Sequence, residues 1–193
     1  MRQREEMVRI CRVVAAALAI VGSVIVLGCA TPAKSPAVFA QFNTAREQYF
    51  AAAKFDMETL VRRGQERGFE RLGWIITGYQ MVLDHFPDDP LYSPLAHLCI
   101  ADCYMRMSEY RKAIRTFRAI EARYPNHPFA HAQAERQIGR AYDSLGQPAT
   151  AKRYYKRCID TFRHSENDQI KAIVAACTQL YVPPSVPGRT PAR

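Results

Sequence analysis

The chain has 193 residues, 48% of them apolar, and a formal net charge of +9. This length suits one domain, and the share of apolar residues excludes wholesale disorder. No run of five or more like charges occurs, so most of the charge is expected on ordinary solvated helix surfaces. If the protein is exported, nucleic acid is a poor candidate partner.

The first segment, residues 1–28, is predicted to be a lipoprotein signal peptide. Four arginines give it a basic start, and an apolar run follows at positions 13–27. A membrane span needs about 20 apolar residues, so this shorter run suits the core of a secretory signal better. It ends in Val26-Leu27-Gly28-Cys29, which resembles the lipobox of bacterial lipoproteins. The resemblance implies that Cys29 is acylated and binds the membrane; a plain N-terminal membrane anchor is the alternative.

The next segment is predicted to be a lipidated tether over residues 29–43, because it combines proline with small polar residues. Thr44-Ala45-Arg46-Glu47 has the pattern of a capping box, which predicts the start of a helix. Residues 44–87 are interpreted as a partial first repeat whose second helix turns Ile75, Tyr79 and Val82 inward. Trp74 is either a core residue or an anchor for a partner.

Aromatic and small residues recur along the chain at a fixed step of 38, as from position 79 to 117 and again from 117 to 155. The series are Tyr79/Phe117/Tyr155, Phe86/Tyr124/Phe162, Val82/Ile120/Cys158, Ala96/Ala134/Ala172 and Ala101/Gly139/Cys177. One step shared by five series indicates that a single unit has been copied, and units of this length stack into arrays. The apolar spacing inside each unit predicts two antiparallel helices joined by a short polar turn, Met107-Ser108-Glu109 in one unit and Leu145-Gly146-Gln147 in the next.

These units resemble tetratricopeptide repeats. The signature places hold Ala101, Tyr104, Ala113, Phe117 and Pro125 in the repeat 94–127, and Gly139, Tyr142, Gly146, Ala151 and Tyr155 in the repeat 132–165. The resemblance implies an all-α fold, namely an α-solenoid of antiparallel helix pairs over residues 44–181. Residues 168–181 are predicted to be a last, capping helix. The Pro-rich tail 182–193 is predicted to be disordered or extended.

Four cysteines remain beyond the signal segment and Cys29. Cys99 and Cys103 lie one helical turn apart, which orients them poorly for a disulfide. Cys158 and Cys177 fall at core places of the repeat. Buried free thiols are therefore expected, and a bridge between Cys158 and Cys177 is the alternative in an oxidising compartment.

No convincing catalytic set is predicted. The sequence contains neither a Gly-rich phosphate loop nor a His-Glu-x-x-His motif, and its five histidines match no common metal spacing. Carboxylates for glycan cleavage would have to come from Glu109, Glu121, Glu135 or Asp143, which are predicted on helix exteriors without a raised pKa. The chain is therefore expected not to be an enzyme, and no cofactor, metal ion or small-molecule substrate is expected.

Stacked helix pairs do supply a concave surface, which the first helix of each pair lines. By carrying over the groove-facing places of the repeat, the partner-binding residues are predicted to be Leu95, Leu98, Asp102, Arg106, Gln133, Arg136, Gln137, Arg140, Lys171, Val174 and Thr178. Arg136, Arg140 and Lys171 form a basic sector that suits an acidic segment or a C-terminal carboxylate. An ordinary charged helix face is the alternative.

The linkers Phe86-Pro87-Asp88-Asp89-Pro90 and Tyr124-Pro125-Asn126-His127-Pro128 resemble those of periplasmic repeat lipoproteins. The families are the BamD-like subunits of the outer-membrane β-barrel assembly machinery and the Tol-Pal-associated repeat proteins. The resemblance implies a lipid-anchored, non-enzymatic scaffold at the periplasmic face of the outer membrane that binds envelope proteins or peptides. A role in β-barrel protein assembly is the first expectation. The alternatives are an adaptor of the cell-wall and division machinery, and an accessory or degenerate peptidoglycan hydrolase.

Overall fold

A computed structural model of the chain describes residues 40–61 and 68–181. These residues form seven helices and no strand, so the predicted all-α fold is confirmed. The helices are α1 Ala45–Val61, α2 Gly68–His85, α3 Tyr92–Arg106, α4 Tyr110–Arg123, α5 Pro128–Ser144, α6 Pro148–Phe162 and α7 Asp168–Leu180. The predicted signal peptide, acylated Cys29, most of the tether and the Pro-rich tail lie outside the described residues.

The helices are arranged in two layers. Each helix packs against the next one in the chain, and α1, α3, α5 and α7 also pack against one another in that order. This is the contact pattern of stacked antiparallel helix pairs, so the predicted α-solenoid is confirmed. The odd helices form one layer and the even helices form the other. Among the described residues, no helix is both long enough and apolar enough to cross a membrane.

Each full repeat turns from its first helix to its second through one residue with left-handed backbone geometry. Ser108 has a φ of 60°, and Gly146, which holds the equivalent place in the next repeat, has a φ of 71°. The N–H of Glu109 donates to the carbonyl oxygen of Tyr104 at 2.9 Å, and the equivalent bond closes the second turn at the same distance. Glycine adopts this geometry without a steric penalty, so the second turn is the less strained of the two.

The copied aromatic residues lie at the centre of the core. Tyr79, Phe117 and Tyr155 are each at most 2% exposed, and the inward positions predicted for Ile75 and Val82 are confirmed. Trp74 is half-buried in the core cluster of the first repeat, and its ring centroid lies 6.4 Å from that of Phe55. These contacts favour the interpretation of Trp74 as a core residue.

One half of the predicted capping box is present, because the side chain of Thr44 caps the first turn of helix α1. The N–H of Glu47 donates to Thr44 Oγ1 at 3.2 Å, and the hydroxyl donates to Glu47 Oε2 at 3.0 Å. Such a cap satisfies an N–H of the first turn that has no partner within the helix. Helix α1 therefore begins where the sequence predicts.

Helices α5 and α6 pack tightly against each other at Gly139. A Cβ atom at this position would lie 2.3 Å from Cε1 of Tyr155 and within 3 Å of two further atoms of that ring. The ring is fully buried, and its hydroxyl donates to Asp143 Oδ2 at 2.6 Å, which fixes its position. Overpacking of this kind costs about 1–3 kcal/mol, which outweighs the higher helix propensity of alanine. We therefore expect Gly139→Ala to lower the free energy of unfolding by about 1–2 kcal/mol.

The matched control is Gly73→Ala in helix α2, where a Cβ atom would meet nothing within 4 Å. This replacement is expected to raise the free energy of unfolding by about 0.5–1 kcal/mol, because alanine loses less backbone entropy on folding than glycine. Urea unfolding followed by circular dichroism measures both variants. If both variants shift the urea midpoint in the same direction, the ring of Tyr155 does not exclude a larger side chain at position 139.

Candidate partner-binding surface

The residues predicted to line a groove all lie on the odd helices α3, α5 and α7. Arg106, Arg140, Lys171 and Thr178 are exposed, Leu95, Asp102, Gln133, Arg136 and Val174 are half-buried, and Leu98 and Gln137 are buried. Leu98 is 5% exposed and packs in the core of the first full repeat, so it offers a partner little surface. For the other residues, contact with a partner stays a prediction.

A chain of hydrogen bonds links helix α3 to helix α5 across this surface. Gln137 Nε2 donates to Asp102 Oδ1 at 2.7 Å, and Arg140 Nη1 donates to Gln137 Oε1 at 3.0 Å. Because Gln137 is buried, these two bonds hold its amide in one orientation. The guanidinium of Arg140 is therefore positioned by a carboxylate that lies on the neighbouring repeat.

Asp102 is the acidic centre of a basic surface. Burial raises the pKa of Asp102, while the hydrogen bond from Gln137 and the charges of Arg136, Arg140 and Arg106 act to lower it. One carboxylate thus faces three guanidinium groups, which leaves a positive potential around it.

Two of these arginines are available to a further anion. Arg106 is already bound by Asp56 of helix α1, at 2.5 Å. Within the described ranges, Arg136 and Arg140 form no ion pair of their own, and Nε of Arg136 is buried without a hydrogen-bond acceptor. A buried donor that lacks an acceptor costs free energy, so an anion at this place would be stabilised.

Lys171 differs from the two arginines with which it was grouped. Its Nζ lies 3.5 Å from Glu166 and 3.4 Å from Asp168, near the start of helix α7. Its charge is thus already opposed by two carboxylates. The structure surrounds Asp102 with Arg136, Arg140 and Arg106, while Lys171 interacts with acids of its own helix end.

A second polar cluster, which sequence reasoning missed, connects the two full repeats. Arg157 of helix α6 pairs with Glu121 of α4 at 2.9 Å and also with Glu135 of α5. Glu135 is 3% exposed, so its predicted place on a helix exterior was wrong. The physical reason is that α5 packs against α4 and α6 and also against the odd helices α3 and α7, which leaves it little exterior surface.

The environment of Glu135 changes its acidity. Burial and the neighbouring Glu121 raise the pKa of Glu135 to about 8, although Arg157 acts in the opposite direction. The expectation that none of these carboxyls has a raised pKa was therefore also wrong. A carboxyl this buried leaves no cleft in which a glycan could meet it together with Glu121, so the cluster gives no support to glycan cleavage.

Arg118 ties the same two repeats together on the surface of the even helices. Its Nη2 donates to the hydroxyl of Tyr142 at 2.8 Å and to that of Tyr154 at 2.6 Å. The two tyrosine rings stack with centroids 5.4 Å apart. The guanidinium of Arg157 lies over the ring of Tyr154, at 5.0 Å from its centroid. These contacts stabilise the interface between neighbouring repeats.

The four cysteines at positions 99, 103, 158 and 177 are free thiols in this structure, as expected. Burial raises the pKa of Cys99 to about 11 and that of Cys103 to about 12, which makes both thiols poor nucleophiles. The thiol of Cys158 donates to the carbonyl oxygen of Ala132 at 3.7 Å, and the proximity of Cys158 and Cys177 raises the pKa of Cys158 and lowers that of Cys177. No group of three or more His, Cys, Asp or Glu side chains suited to a metal ion occurs among residues 40–61 and 68–181.

A small cavity of about 290 Å³ lies where the two inter-repeat linkers meet. Four prolines line it, together with the charged residues Asp88, Asp89 and Arg123 and the ring of Tyr124. Its charges are mixed, and its size is at the lower limit of ligand pockets. A protein segment is served better by the open surface of the odd helices.

The fold and this surface define a class of protein, an α-solenoid scaffold without an evident catalytic site in its described part. Models of the tetratricopeptide-repeat family match the chain at two places, residues 97–127 and residues 137–163. The first match spans most of α3 and all of α4, and the second spans the end of α5 and all of α6. No curated protein gives a significant match. The chain thus carries tandem tetratricopeptide repeats, which in general act as non-catalytic scaffolds for protein partners.

Proposed function

We propose that the chain is a lipid-anchored scaffold of the bacterial cell envelope that binds segments of envelope proteins on its odd helices. The observation that carries this proposal is the pair of arginines, Arg136 and Arg140, near half-buried Asp102 on the odd-helix layer. In tetratricopeptide arrays this layer lines the concave side, where extended or helical segments bind.

The bound segment is proposed to present a carboxylate, either from an acidic side chain or from a chain terminus. Arginine and carboxylate form charge-assisted hydrogen bonds, which are shorter and stronger than neutral ones. Half-buried Leu95 and Val174 lie on helices of the same layer. Under this proposal they offer apolar contact to the same bound segment.

The cellular setting is proposed from the N-terminal sequence and the linkers. The apolar run that ends in Cys29 supports acylation and anchoring at the periplasmic face of the outer membrane. The Phe/Tyr-Pro-x-x-Pro linkers support a role like that of the repeat lipoproteins of β-barrel protein assembly. Under this proposal the repeats bind a segment of the insertase or of a client protein.

Site-specific photo-crosslinking in intact membranes tests this role. A crosslinker in place of Gln133, which is half-buried on α5, samples the proposed surface, and one in place of exposed Ala119 on α4 samples the opposite layer. Recovery of the barrel insertase from position 133 alone supports the proposal. Recovery of division or cell-wall proteins indicates the adaptor role instead, and recovery of the same proteins from both positions rejects a specific odd-helix site.

The double variant Arg136→Gln/Arg140→Gln is expected to lower the yield of the position-133 crosslink by about tenfold, because each charge-assisted hydrogen bond contributes about 1.5–3 kcal/mol. The matched control, Lys171→Gln, removes a cation that already has acidic neighbours and should change the yield less than about twofold. Circular dichroism checks that the double variant stays folded. An unchanged yield in a folded double variant would contradict a carboxylate anchor at these arginines.

A further inference from the structure

The positive charge of the protein is concentrated on two helices of the even layer. Helices α4 and α6 carry nine Lys or Arg residues and two acidic residues. The rest of the described chain carries eight Lys or Arg residues against thirteen acidic ones. These cations lie on exposed helix surfaces, as expected, but within the described residues the positive excess is concentrated on two helices and not spread over the array.

These nine cations form what we call the even-helix face. It consists of Arg111, Lys112, Arg115, Arg118, Arg123, Lys152, Arg153, Lys156 and Arg157, all of which are exposed. Lys112, Lys156 and Arg157 have acidic partners. Within residues 40–61 and 68–181, Arg111, Arg115, Lys152 and Arg153 form no ion pair, so their charge is directed to solvent alone.

The repeat places these cations in register. Arg115 and Arg153 are separated by one step of the repeat and occupy the same place on neighbouring even helices, and so do Arg118 and Lys156. Side chains link helices α4 and α6 directly: Arg118 donates to the hydroxyl of Tyr154 at 2.6 Å, and Arg157 pairs with Glu121 at 2.9 Å. The equivalent cations therefore lie on one continuous face. Arg111, Arg115 and Arg118 also share one side of α4. Like charges at this spacing lower helix stability, so the fold itself gains nothing from this arrangement.

We propose that the even-helix face docks on the anionic phospholipid headgroups of the membrane that holds the lipid anchor. Guanidinium and ammonium groups donate charge-assisted hydrogen bonds to phosphate oxygens, and basic clusters next to an anionic bilayer are attracted to it. The proposal rests on the proposed function in one respect, the anchoring through Cys29. It goes beyond that function because it orients the scaffold on the bilayer.

The chain between the anchor and the first helix is short enough to make this contact favourable. Fifteen residues separate Cys29 from Ala45, which limits the extended reach to about 50 Å. A face tethered at this range meets the headgroups at a high effective concentration. Because the odd helices form the other layer, docking through the even helices would leave the surface around Asp102 open to a partner.

Amine labelling of the protein in vesicles tests the docking. The whole chain, purified from membranes in its processed form, is reconstituted with phosphatidylcholine alone or with added phosphatidylglycerol. Lys112, Lys152 and Lys156 report on the even-helix face, and Lys54 and Lys171 are exposed lysines on odd helices that serve as internal controls. With phosphatidylglycerol, labelling of the three face lysines should fall about threefold or more, and about 1 M salt should restore it, because the Debye length shrinks to about 3 Å.

A charge-matched pair of variants tests whether the even-helix face itself, and not the total charge of the protein, binds the vesicles. Arg111→Gln/Arg115→Gln/Arg153→Gln removes three cations without ion-pair partners from the face and should abolish the protection. Arg46→Gln/Arg106→Gln/Lys171→Gln removes the same charge from exposed positions on odd helices, keeps Lys54 as the internal control, and should retain the protection. Equal labelling in both kinds of vesicle, or equal loss in both variants, would overturn the proposal. The proposal would also be overturned if inorganic phosphate or nucleic acid protected the face lysines from labelling while anionic vesicles did not.

The same experiment separates docking from anchoring. Flotation of the protein with pure phosphatidylcholine vesicles reports on the lipid anchor, because those headgroups carry no net charge. Protein that fails to float with them rejects the anchor and the membrane setting of the proposed function. The comparison of lysine labelling with and without phosphatidylglycerol then still decides whether the even-helix face binds anionic lipid.

Discussion

Replacement of Phe117 by alanine is expected to lower the free energy of unfolding by about 3–5 kcal/mol, the usual cost of removing a buried aromatic side chain. Phe117 is completely buried in the cluster that joins helices α3, α4 and α5. Its removal leaves a cavity that both neighbouring repeats line. Since small domains are stable by about 5–15 kcal/mol, this single change removes a large share of the total.

The effect of such a replacement should depend on the position of the repeat in the array. Repeat arrays gain stability from each unit and from each interface between neighbours. Phe117 lies in a middle repeat, whereas Tyr79, its equivalent one repeat earlier, lies in the first described repeat. Phe117→Ala should therefore shift one cooperative transition, while Tyr79→Ala should separate early unfolding of the first repeat from the remaining transition.

Urea unfolding, followed by circular dichroism and by the fluorescence of Trp74, distinguishes these outcomes. Trp74 lies in the first described repeat, so its fluorescence reports on that end of the array. The control is Met57→Ala, because this side chain is 61% exposed and its loss should change stability by about 0.5 kcal/mol or less. Coincident transitions for both probes in Tyr79→Ala would show that the repeats unfold as one unit.

The core could be predicted because the copied spacing determines it. Tyr79, Phe117 and Tyr155 recur at the same step, and each fills the same place between its two helices. The close approach at Gly139 follows from the same register, since Ala101 and Cys177 are its equivalents and are also buried. Apolar periodicity can be read from neighbouring residues, and a repeated unit shows the same periodicity in each copy.

The polar contacts between repeats could not be predicted in this way. Gln137 and Asp102 lie 35 residues apart, and Arg157 and Glu135 lie 22 apart, so neither pair matches the step of the repeat. A glutamate in a helix is normally exposed, which is why Glu135 was placed on an exterior. Its burial follows from the packing of α5 against helices on several sides, which a one-dimensional pattern does not contain.

The even-helix face was missed for a different reason. No run of like charges marks it, because helix α5, whose charges balance, separates α4 from α6 along the chain. A count of charges for each predicted helix would have found it, since α4 and α6 alone carry nine cations against two acids. The excess of positive charge is visible in the sequence when charges are summed over whole helices, but not when neighbouring residues are compared.

Glu135 should make the stability of the protein depend on pH in an unusual direction for a carboxyl. Burial and Glu121 raise its pKa from an ordinary value of 4.5 to about 8, against the opposing charge of Arg157. The folded protein thus holds this proton more tightly than the unfolded chain does. The stabilisation is complete below the unfolded pKa and is lost as the pH rises through the folded one. The carboxylate that forms is buried, and its Oε2 has no hydrogen-bond donor within the described part of the chain.

The variant Glu135→Gln isolates this contribution, because glutamine has the shape of the protonated side chain and does not titrate. Relative to the variant, the free energy of unfolding of the natural protein should fall by about 3 kcal/mol between about pH 5 and about pH 8. His97 changes in the opposite sense, since burial and Arg123 lower its pKa to about 4. Its contribution is common to both proteins and cancels in the difference.

Urea unfolding of both proteins at the two pH values measures the difference, and Arg157→Gln provides a second comparison. Without the guanidinium, the carboxylate form of Glu135 loses the cation that pairs with it. The pKa of Glu135 should therefore rise further, and the loss of stability above about pH 6 should become steeper. Parallel pH profiles for the natural protein and Glu135→Gln would mean that Arg157 keeps Glu135 ionised throughout. In that event Arg157→Gln should destabilise the protein more at about pH 8 than at about pH 5, because Glu135 without its guanidinium can take up a proton at the lower pH.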